Sequence, residues 1–321
     1  MKLYPLKFTP ITHYRIWGGS KLNTAVSKEL QMDNLGEIWS ISGVEGNLSV
    51  VINGELKGKN LKELVEIYQE RLVGKKVWEK FGNEFPLLIK FLDADADLSV
   101  QVHPNDQQAK ELHNSFGKSE MWYIMDAEPN SELTIGFKKG IQKEEYQKHL
   151  EANSLDEILN KIPVQKGDAI YIPAGRVHAI GAGVVLAEIQ QTSDITYRIY
   201  DYNRLDKDGK KRQLHTENAG KVIDFTPIEK TKSNYQNTEN KFNTLIETLY
   251  FETKIFSGDE TQEFSNNELR IYICTEGKGK FTFKDCEIEL KKYESLLIPA
   301  DCSDYQMLPS EHLSVLEVVI P

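Results

Sequence analysis

One segment of this chain occurs twice, and the repeat limits the folds that the chain can form. Lys166-Gly-Asp-Ala-Ile-Tyr-Ile-Pro-Ala174 aligns without gaps with Lys292-Tyr-Glu-Ser-Leu-Leu-Ile-Pro-Ala300, 126 residues further on. Each copy has an acidic residue, a short strand-like run and a Pro-Ala turn. Two similar antiparallel β units in one chain predict a pair of double-sheet jelly rolls.

Short strand-like runs dominate the rest of the sequence. They are rich in β-branched and aromatic residues and are bounded by Gly, Pro, Asn or Asp, which is typical of strands. The predicted strands, besides those of the second copy, are 48–52, 87–92, 98–102, 121–125 and 169–172.

Two regions depart from this pattern and predict helices. From Asn60 to Phe81 the apolar residues recur at helical spacing. Lys143 to Lys161 predicts two short helices, the second beginning after Ser154 with Glu157 completing a capping box. The predicted fold class is therefore mainly β, with two jelly-roll (β-barrel) units and small helical insertions.

The composition changes near 226–243, which is polar and has few large apolar residues. We interpret this stretch as a linker. It divides the chain into an N-terminal unit over 1–225, with helical insertions at about 55–83 and 141–162, and a C-terminal unit over 240–321 that binds no metal.

Charge and composition exclude several classes of partner. The 321 residues carry a net charge of −10, which argues against binding nucleic acid, so an anionic ligand requires a local basic pocket. No apolar run approaches the roughly 18 residues that span a bilayer, and the N-terminus lacks the apolar core of a secretory signal. The three cysteines form no paired motif, so we expect a cytoplasmic protein; nothing here indicates an oligomeric state.

Four side chains near predicted strand ends could meet around one metal ion. Gln101 and His103 are two residues apart on a strand, so both point to the same face. Glu120 directly precedes the strand 121–125, and His178 follows a Pro-Ala-Gly turn. Two imidazoles, a carboxylate and an amide oxygen suit zinc, and equally Fe(II), Mn(II) or Co(II), because no thiolate biases the choice.

The same four residues also have a purely structural interpretation, as satisfied polar groups in a strand-rich core. The second copy of the repeat has Asp304 in the place of His178, so any metal belongs to the first unit. Further along, acidic and basic residues are interspersed with apolar ones between Glu188 and Arg204. They form either a solvent-facing alternation or an inward polar cluster.

Several motifs together resemble the type I mannose-6-phosphate isomerases, in their short form built from cupin domains. The resemblance extends from near the start of the chain to about Arg204. The motifs are Gln101-Val-His-Pro-Asn-Asp106, Gly117-Lys-Ser-Glu120, Tyr171-Ile-Pro-Ala-Gly-Arg-Val-His-Ala-Ile-Gly181 and Ser193-Asp-Ile-Thr-Tyr-Arg198, with Arg15-Ile-Trp-Gly-Gly19 and Gly36-Glu-Ile-Trp39.

This resemblance implies a role for particular residues. It implies one zinc ion per chain, held by Gln101, His103, Glu120 and His178. It implies the active-site residues Lys118, Glu188, Asp194 and Arg198, and a phosphate contact at Ser99. Longer members of the family have a lysine six residues beyond the arginine, where this chain has Arg204. Because arginine can also hold phosphate, Ser99, Lys118 and Arg204 are the predicted substrate-binding residues.

The implied activity is the metal-dependent interconversion of mannose 6-phosphate and fructose 6-phosphate through an enediol(ate). Glu188 and Asp194 are the candidate general bases, and His103 is one only if it does not bind the metal. Two other functions stay open from the sequence. One is another metal-cupin enzyme such as a dioxygenase, and the other is a non-catalytic regulator that binds a sugar phosphate.

Overall fold

The computed structural model describes residues 2–228, 230–265, 267–284 and 286–321. Over these residues the fold is mainly β, as the sequence predicts. The strands before residue 226 are β1 Ile11–Gly19, β2 Leu35–Ile41, β3 Leu87–Ala94, β4 Val100–Val102, β5 Glu120–Ala127, β6 Glu132–Phe137, β7 Leu159–Pro163, β8 Ala169–Ile172, β9 His178–Ile180, β10 Val184–Gln191 and β11 Tyr197–Tyr200. Those after it are β12 Phe242–Glu247, β13 Glu252–Gly258, β14 Gln262–Ser265, β15 Arg270–Glu276, β16 Lys278–Phe283, β17 Cys286–Lys291, β18 Ser295–Ile298, β19 Asp304–Pro309 and β20 Leu313–Val319.

The strands form four antiparallel sheets. The first two have the orders β1-β2-β3-β10-β5-β8 and β11-β4-β9-β6-β7, and the last two have the orders β12-β13-β20-β15-β18 and β14-β19-β16-β17. Apolar side chains of the first two sheets share one core cluster, which includes Trp122, Leu186, Ile135 and Ile180. Packing of two sheets over one apolar layer is the arrangement of a β-sandwich.

The opposite face of the first sheet packs against the third. A single core cluster contains Phe91 and Val185 from the first sheet and Ile255 and Leu297 from the third. Hydrogen bonds also join the two, since the Ser40 and Ser295 hydroxyls lie 2.8 Å apart. Within the described residues no helix is long and apolar enough to cross a membrane.

The first predicted helical region is helical but broken into three pieces. These are α1 Leu61–Tyr68, α2 Glu70–Val73 and α3 Lys75–Phe81. Asn60 caps α1 through a reciprocal capping box with Glu63. The breaks fall at Gln69 and Gly74, which have φ of 48° and 86°. The other helices are α4 Asp106–His113, α5 Lys143–Glu151 and α6 Thr216–Val222, and short 3₁₀ helices lie at Lys21–Ala25, Lys28–Leu30 and Leu155–Glu157.

Two local predictions were wrong. The second helix expected after Ser154 is only the 3₁₀ turn Leu155–Glu157, without a side-chain cap, and β7 follows it. Pairing of β7 with β6 outweighs the local capping signal. The predicted strand at 48–52 contains only isolated bridges from Val50 and Val51, whereas β2, which was not predicted, is fully buried.

The strand register shows which residue of the third sheet corresponds to Glu120 of the first. On the first sheet Glu188 lies opposite Trp122 and Glu120 lies opposite Ile172. On the third, Glu317 lies opposite Tyr272 and Arg270 lies opposite Ile298, the repeat equivalent of Ile172. Arg270 therefore takes the position of Glu120.

Arg270 is paired with residues of the third sheet. Its guanidinium contacts the Glu317 carboxylate, which also accepts a hydrogen bond of 2.8 Å from the Tyr272 hydroxyl. Glu317 is only 3% exposed, so loss of this cation would leave a buried carboxylate without its charge partner.

Replacing Arg270 with methionine is expected to lower the free energy of unfolding by about 3 kcal/mol, because it leaves a buried carboxylate unpaired. This is the low end of the range for broken buried pairs, since the Arg270 side chain keeps 17% exposure. Thermal and urea unfolding measure the change. Lys280→Met, which breaks the exposed pair with Glu287, is the matched control and should change little. Full stability of the Arg270 variant would contradict the assigned role of the pair.

Candidate active site

Cross-strand pairing brings three predicted site residues into one row. Gln101 on β4 lies opposite Arg198 on β11 and opposite His178 on β9. Residues directly opposite on antiparallel strands have neighbouring side chains on the same face. The second sheet therefore presents two candidate metal ligands and a candidate active-site arginine side by side.

Glu120, the first residue of β5 on the facing sheet, completes the group with His103. Its carboxylate lies 3.4 Å from Nε2 of His178 and 3.6 Å from Nε2 of His103. The three side chains are buried, and their ligand atoms lie within 4.8 Å of one another. The carboxamide of Gln101 lies 3.3 Å from Nε2 of His178, at the edge of the group.

Each of the two histidines uses one ring nitrogen in a hydrogen bond and directs the other toward the centre of the group. Nδ1 of His103 donates to the Ile195 carbonyl and Nδ1 of His178 donates to the Arg176 carbonyl, both at 2.8 Å. This fixes Nε2 as the unprotonated, ligating nitrogen, as at many metal sites. Burial lowers the pKa of His178 to about 4 and that of His103 well below its ordinary value, so both imidazoles are neutral at neutral pH.

Two buried atoms of this group lack a hydrogen bond within the described residues, which argues against the structural interpretation. They are Nε2 of His103 and Oε1 of Glu120, whereas Oε2 of Glu120 is paired with Lys118. Burial, and then the charge of Glu188, raises the pKa of Glu120. Buried polar groups are nearly always satisfied, so this set requires a further partner. Two neutral imidazoles and a carboxylate fit a divalent cation.

A cavity of about 450 Å³ opens beside this group. Six of the residues predicted from the sequence line it, namely Ser99, Gln101, Lys118, Glu188, Asp194 and Arg198. His13, close to the Gly18-Gly19 pair, lines it as well. The cavity extends from the group formed by His103, Glu120 and His178 to a wall that carries several cations. An acidic protein thereby acquires a locally basic pocket.

Lys118 lies at the end of the cavity nearest the metal group. Its Nζ is 3.1 Å from Oε2 of Glu120, and the side chain is buried. Burial alone would lower its pKa, but Glu120 and Glu188 raise it, so the ammonium stays charged. Arg198, which lies opposite Gln101 in the strand register, also lines the cavity, and its Nε donates to the Ser99 hydroxyl at 3.2 Å.

Glu188 is engaged by two neighbours on adjacent strands. It lies directly opposite Lys90 on β3, whose Nζ is 3.0 Å from Oε1. Trp122 Nε1 donates to Oε2 at 3.0 Å. Burial acts against ionisation, yet Lys90 holds the pKa of Glu188 below its ordinary value. Asp194, in contrast, is exposed.

Sequence reasoning missed a second charged cluster in the cavity wall. Arg15 donates from Nε and Nη2 to Glu37, at 2.9 and 3.1 Å, and Trp39 Nε1 donates to the same carboxylate at 2.7 Å. Burial disfavours the charge on Glu37, but Lys90 and Arg15 keep its pKa below the ordinary value. One signal was available, since a lysine inside the apolar run 87–92 needs a buried anion.

The structure does not bring Arg204 to this cavity. Its Nη1 donates to the Asp97 carbonyl and its Nη2 donates to Oδ1 of Asp201 at 2.7 Å. Arg212, a little further along the chain, lines the cavity wall near Arg198.

Comparison with known proteins identifies relatives over almost the whole chain. A family model described as phosphomannose isomerase type I, catalytic domain, matches residues 6–150. Mannose-6-phosphate isomerase ManA of Bacillus subtilis is 38% identical over 312 residues, which cover 96% of each chain. The mannose-6-phosphate isomerase of Streptococcus mutans is 34% identical, with 94% of each chain covered.

Solved structures of such proteins are also similar to this chain. The mannose 6-phosphate isomerase of Bacillus subtilis matches with a TM-score of 0.89 and 31% identity, over 98% of this chain and 99% of that one. A mutant phosphomannose isomerase of Salmonella typhimurium shares the fold at 16% identity, with a TM-score of 0.78 and 99% of each chain covered. The chain therefore belongs to the type I phosphomannose isomerases.

Proposed function

We propose that this protein is an aldose–ketose isomerase that interconverts mannose 6-phosphate and fructose 6-phosphate. The observation that carries the proposal is the His103–Glu120–His178 group beside a cavity that Lys118, the partner of Glu120, and Arg198 line. Relatives that span nearly the full chain are named mannose-6-phosphate isomerases, which supports the same substrate here. A sugar phosphate is then the partner, and the three free cysteines suit the cytoplasm as its location.

The proposed metal is zinc, one ion per chain, held by His103, Glu120 and His178 with Gln101 as the fourth ligand. The donor set contains nitrogen and oxygen only, so Fe(II), Mn(II) or Co(II) would also fit. When bound, the ion supplies a Lewis acid that polarises the substrate carbonyl.

The reaction moves a proton between C1 and C2, and its barrier is the weak acidity of a carbon next to a carbonyl. Negative charge develops on oxygen as the enediolate forms. The buried Lys118 ammonium is at the reacting end of the cavity, because it lies beside Glu120. Arg198 provides a second fixed cation. Charges that are already oriented toward the developing anion give one of the largest contributions to catalysis.

Asp194 is our candidate for the general base. A base must be free to take up a proton in the transition state, and no hydrogen bond or ion pair of Asp194 is found within the described residues. Glu188 also lines the cavity, but Lys90 and Trp122 occupy its two oxygens. We therefore assign Glu188 to orienting and balancing charge. His103 is excluded as the base by its proposed role as a ligand.

A coupled assay on zinc-loaded protein tests the proposed function. Turnover of mannose 6-phosphate and of fructose 6-phosphate is expected. Folded, zinc-loaded protein that turns over neither sugar would reject the proposal. Calorimetric binding of the sugar phosphate without turnover would then favour a non-catalytic regulator. Iron in the purified protein together with oxygen consumption would favour a dioxygenase.

Arg198→Ala is expected to lower turnover by about 10²–10³-fold, the typical effect of losing one fixed donor at a developing anion. Zinc content should stay at the wild-type value, because the side-chain hydrogen bonds of Arg198 within the described residues go to Ser99 and Gln213 and not to a proposed ligand. Steady-state kinetics with metal analysis measure both. Loss of zinc in parallel with turnover would instead make Arg198 a structural support of the metal site.

A further inference from the structure

Arg198 lines the cavity and has hydrogen-bonding capacity that its neighbours do not use. Its Nε donates to Ser99 Oγ at 3.2 Å and its Nη1 donates to the Gln213 carbonyl at 2.9 Å. Within the described residues Nη2 has no hydrogen-bond partner. A guanidinium that lines a cavity with one free edge is suited to an anionic ligand group.

Because Arg198 is assigned to the developing enediolate, the phosphate dianion of the substrate needs another cation nearby. Arg204, the residue that sequence position suggests, is committed elsewhere. Two of its nitrogens are bound by the Asp97 carbonyl and by Asp201, and its guanidinium lies 5.2 Å from the Tyr202 ring centre. None of these contacts is at the cavity.

Arg212 is held in the position that Arg204 does not occupy. Its Nε and Nη2 donate to the two oxygens of Asp201 at 2.8 and 2.6 Å, a bidentate pair that fixes the plane of the guanidinium. Its Nη1 has no hydrogen-bond partner within the described residues, and the side chain lines the cavity. Only 16% of the Arg212 side chain is exposed.

The charges around this part of the cavity wall balance. Asp201 is shared between Arg204 and Arg212, and within the described residues Arg198 has no carboxylate bonded to it. Asp194 and Asp206 also line the cavity, so binding of an anion here depends on the free Nη1 of Arg212 and not on a net positive charge. Arg212 is near enough to Arg198 that, after burial, its charge is the main cause of the lowered pKa of Arg198.

A turn of the chain within 201–213 places Arg212 at the cavity. Leu205 and Lys211 form an isolated bridge, which brings the end of the segment 201–213 back to its beginning. Lys207 lies 5.3 Å from the ring centre of Tyr14 on β1, so the segment also contacts the opposite wall of the cavity. No spacing in the sequence marks Arg212, because the pairing depends on this turn.

We propose that Arg212, and not Arg204, is the arginine that binds the substrate phosphate, together with Ser99, while Arg198 keeps its proposed place beside the developing enediolate. The proposal rests on the proposed function, from which it takes a hexose 6-phosphate as the ligand. It makes Asp201 the residue that orients Arg212.

Calorimetry with fructose 6-phosphate on the zinc-loaded full chain tests the proposal. Arg212→Ala is expected to weaken binding by about 10- to 100-fold, as for the loss of one charge-assisted hydrogen-bond pair. In turnover assays most of the loss should fall on KM rather than kcat. Arg212→Lys, which keeps the charge but not the fork, should give an intermediate loss and guards against misfolding of the alanine variant. Lys211→Ala removes a neighbouring exposed charge as the matched control and should bind like wild type.

The comparison with Arg204→Ala decides between the two arginines. That variant should weaken binding by no more than about threefold, since its contacts lie outside the cavity. Wild-type affinity in Arg212→Ala, or an equal loss in Arg204→Ala, would overturn the proposal. Because affinity is measured without turnover, a wild-type protein that binds the sugar phosphate but does not isomerise it would reject the proposed function and leave this test intact.

Discussion

Glu120→Gln is expected to abolish metal binding and to lower turnover by about a thousandfold. The change keeps the size of the side chain but removes the one anionic ligand among His103, Glu120 and His178. Loss of the metal removes several kcal/mol of transition-state stabilisation, and each 1.4 kcal/mol corresponds to about tenfold in rate. Metal analysis of the purified protein and the coupled assay measure the two effects.

A second readout for Glu120 does not require activity. A ligand that binds only the folded state stabilises it by mass action, by about 4 kcal/mol at a thousand times its Kd. Added zinc should therefore raise the unfolding temperature of the wild type but not of Glu120→Gln. Glu144→Gln, an exposed substitution on α5, is the matched control and should respond like wild type. An unaltered zinc response in the Glu120 variant would show that the metal binds elsewhere.

Asp194→Asn is expected to lower kcat by about 10²–10⁴-fold, the usual contribution of a general base. Zinc content and thermal stability should stay at wild-type values, because Asp194 is exposed and is not part of the metal group. Steady-state kinetics measure the first effect, and loss of substrate proton exchange with deuterated solvent would assign it to proton transfer. Asp208→Asn, in an exposed turn of the same region, is the matched control.

Glu188→Gln separates the two carboxylates that line the cavity. Lys90 loses its partner at 3.0 Å in this variant, so the expected result is a lower unfolding temperature. If Glu188→Gln keeps the stability of the wild type but loses proton exchange, while Asp194→Asn retains its kcat, the assignment of the base is reversed.

Local patterns predicted those features that depend on neighbours in the sequence. The two-residue period of a strand placed Gln101 and His103 on one face, and the repeat predicted two similar β units. The capping box at Asn60 marked the start of α1 correctly. The same kind of signal failed at Ser154, because a helix there would compete with the pairing of β7 and β6.

The convergence of His103, Glu120 and His178 was harder to predict from the sequence. Glu120 and His178 lie on β5 and β9, in facing sheets; the predicted strand ends indicated that they could meet, and the resemblance to a family implied the same set. The unpaired Oε1 of Glu120 and Nε2 of His103, which favour a metal, are a property of burial and hydrogen bonding. Neither can be calculated from spacing.

The sequence by itself determined the strand-rich fold, the duplicated unit and the residue types available for a metal site, since these follow from periodicity and composition. The tertiary structure alone decided that Arg212 and not Arg204 lines the cavity, and that Lys90 balances Glu188. The reason is that electrostatic and hydrogen-bond energies depend on distances between atoms. Those distances are set by how the chain turns back and which strands pair, and they are independent of separation along the sequence.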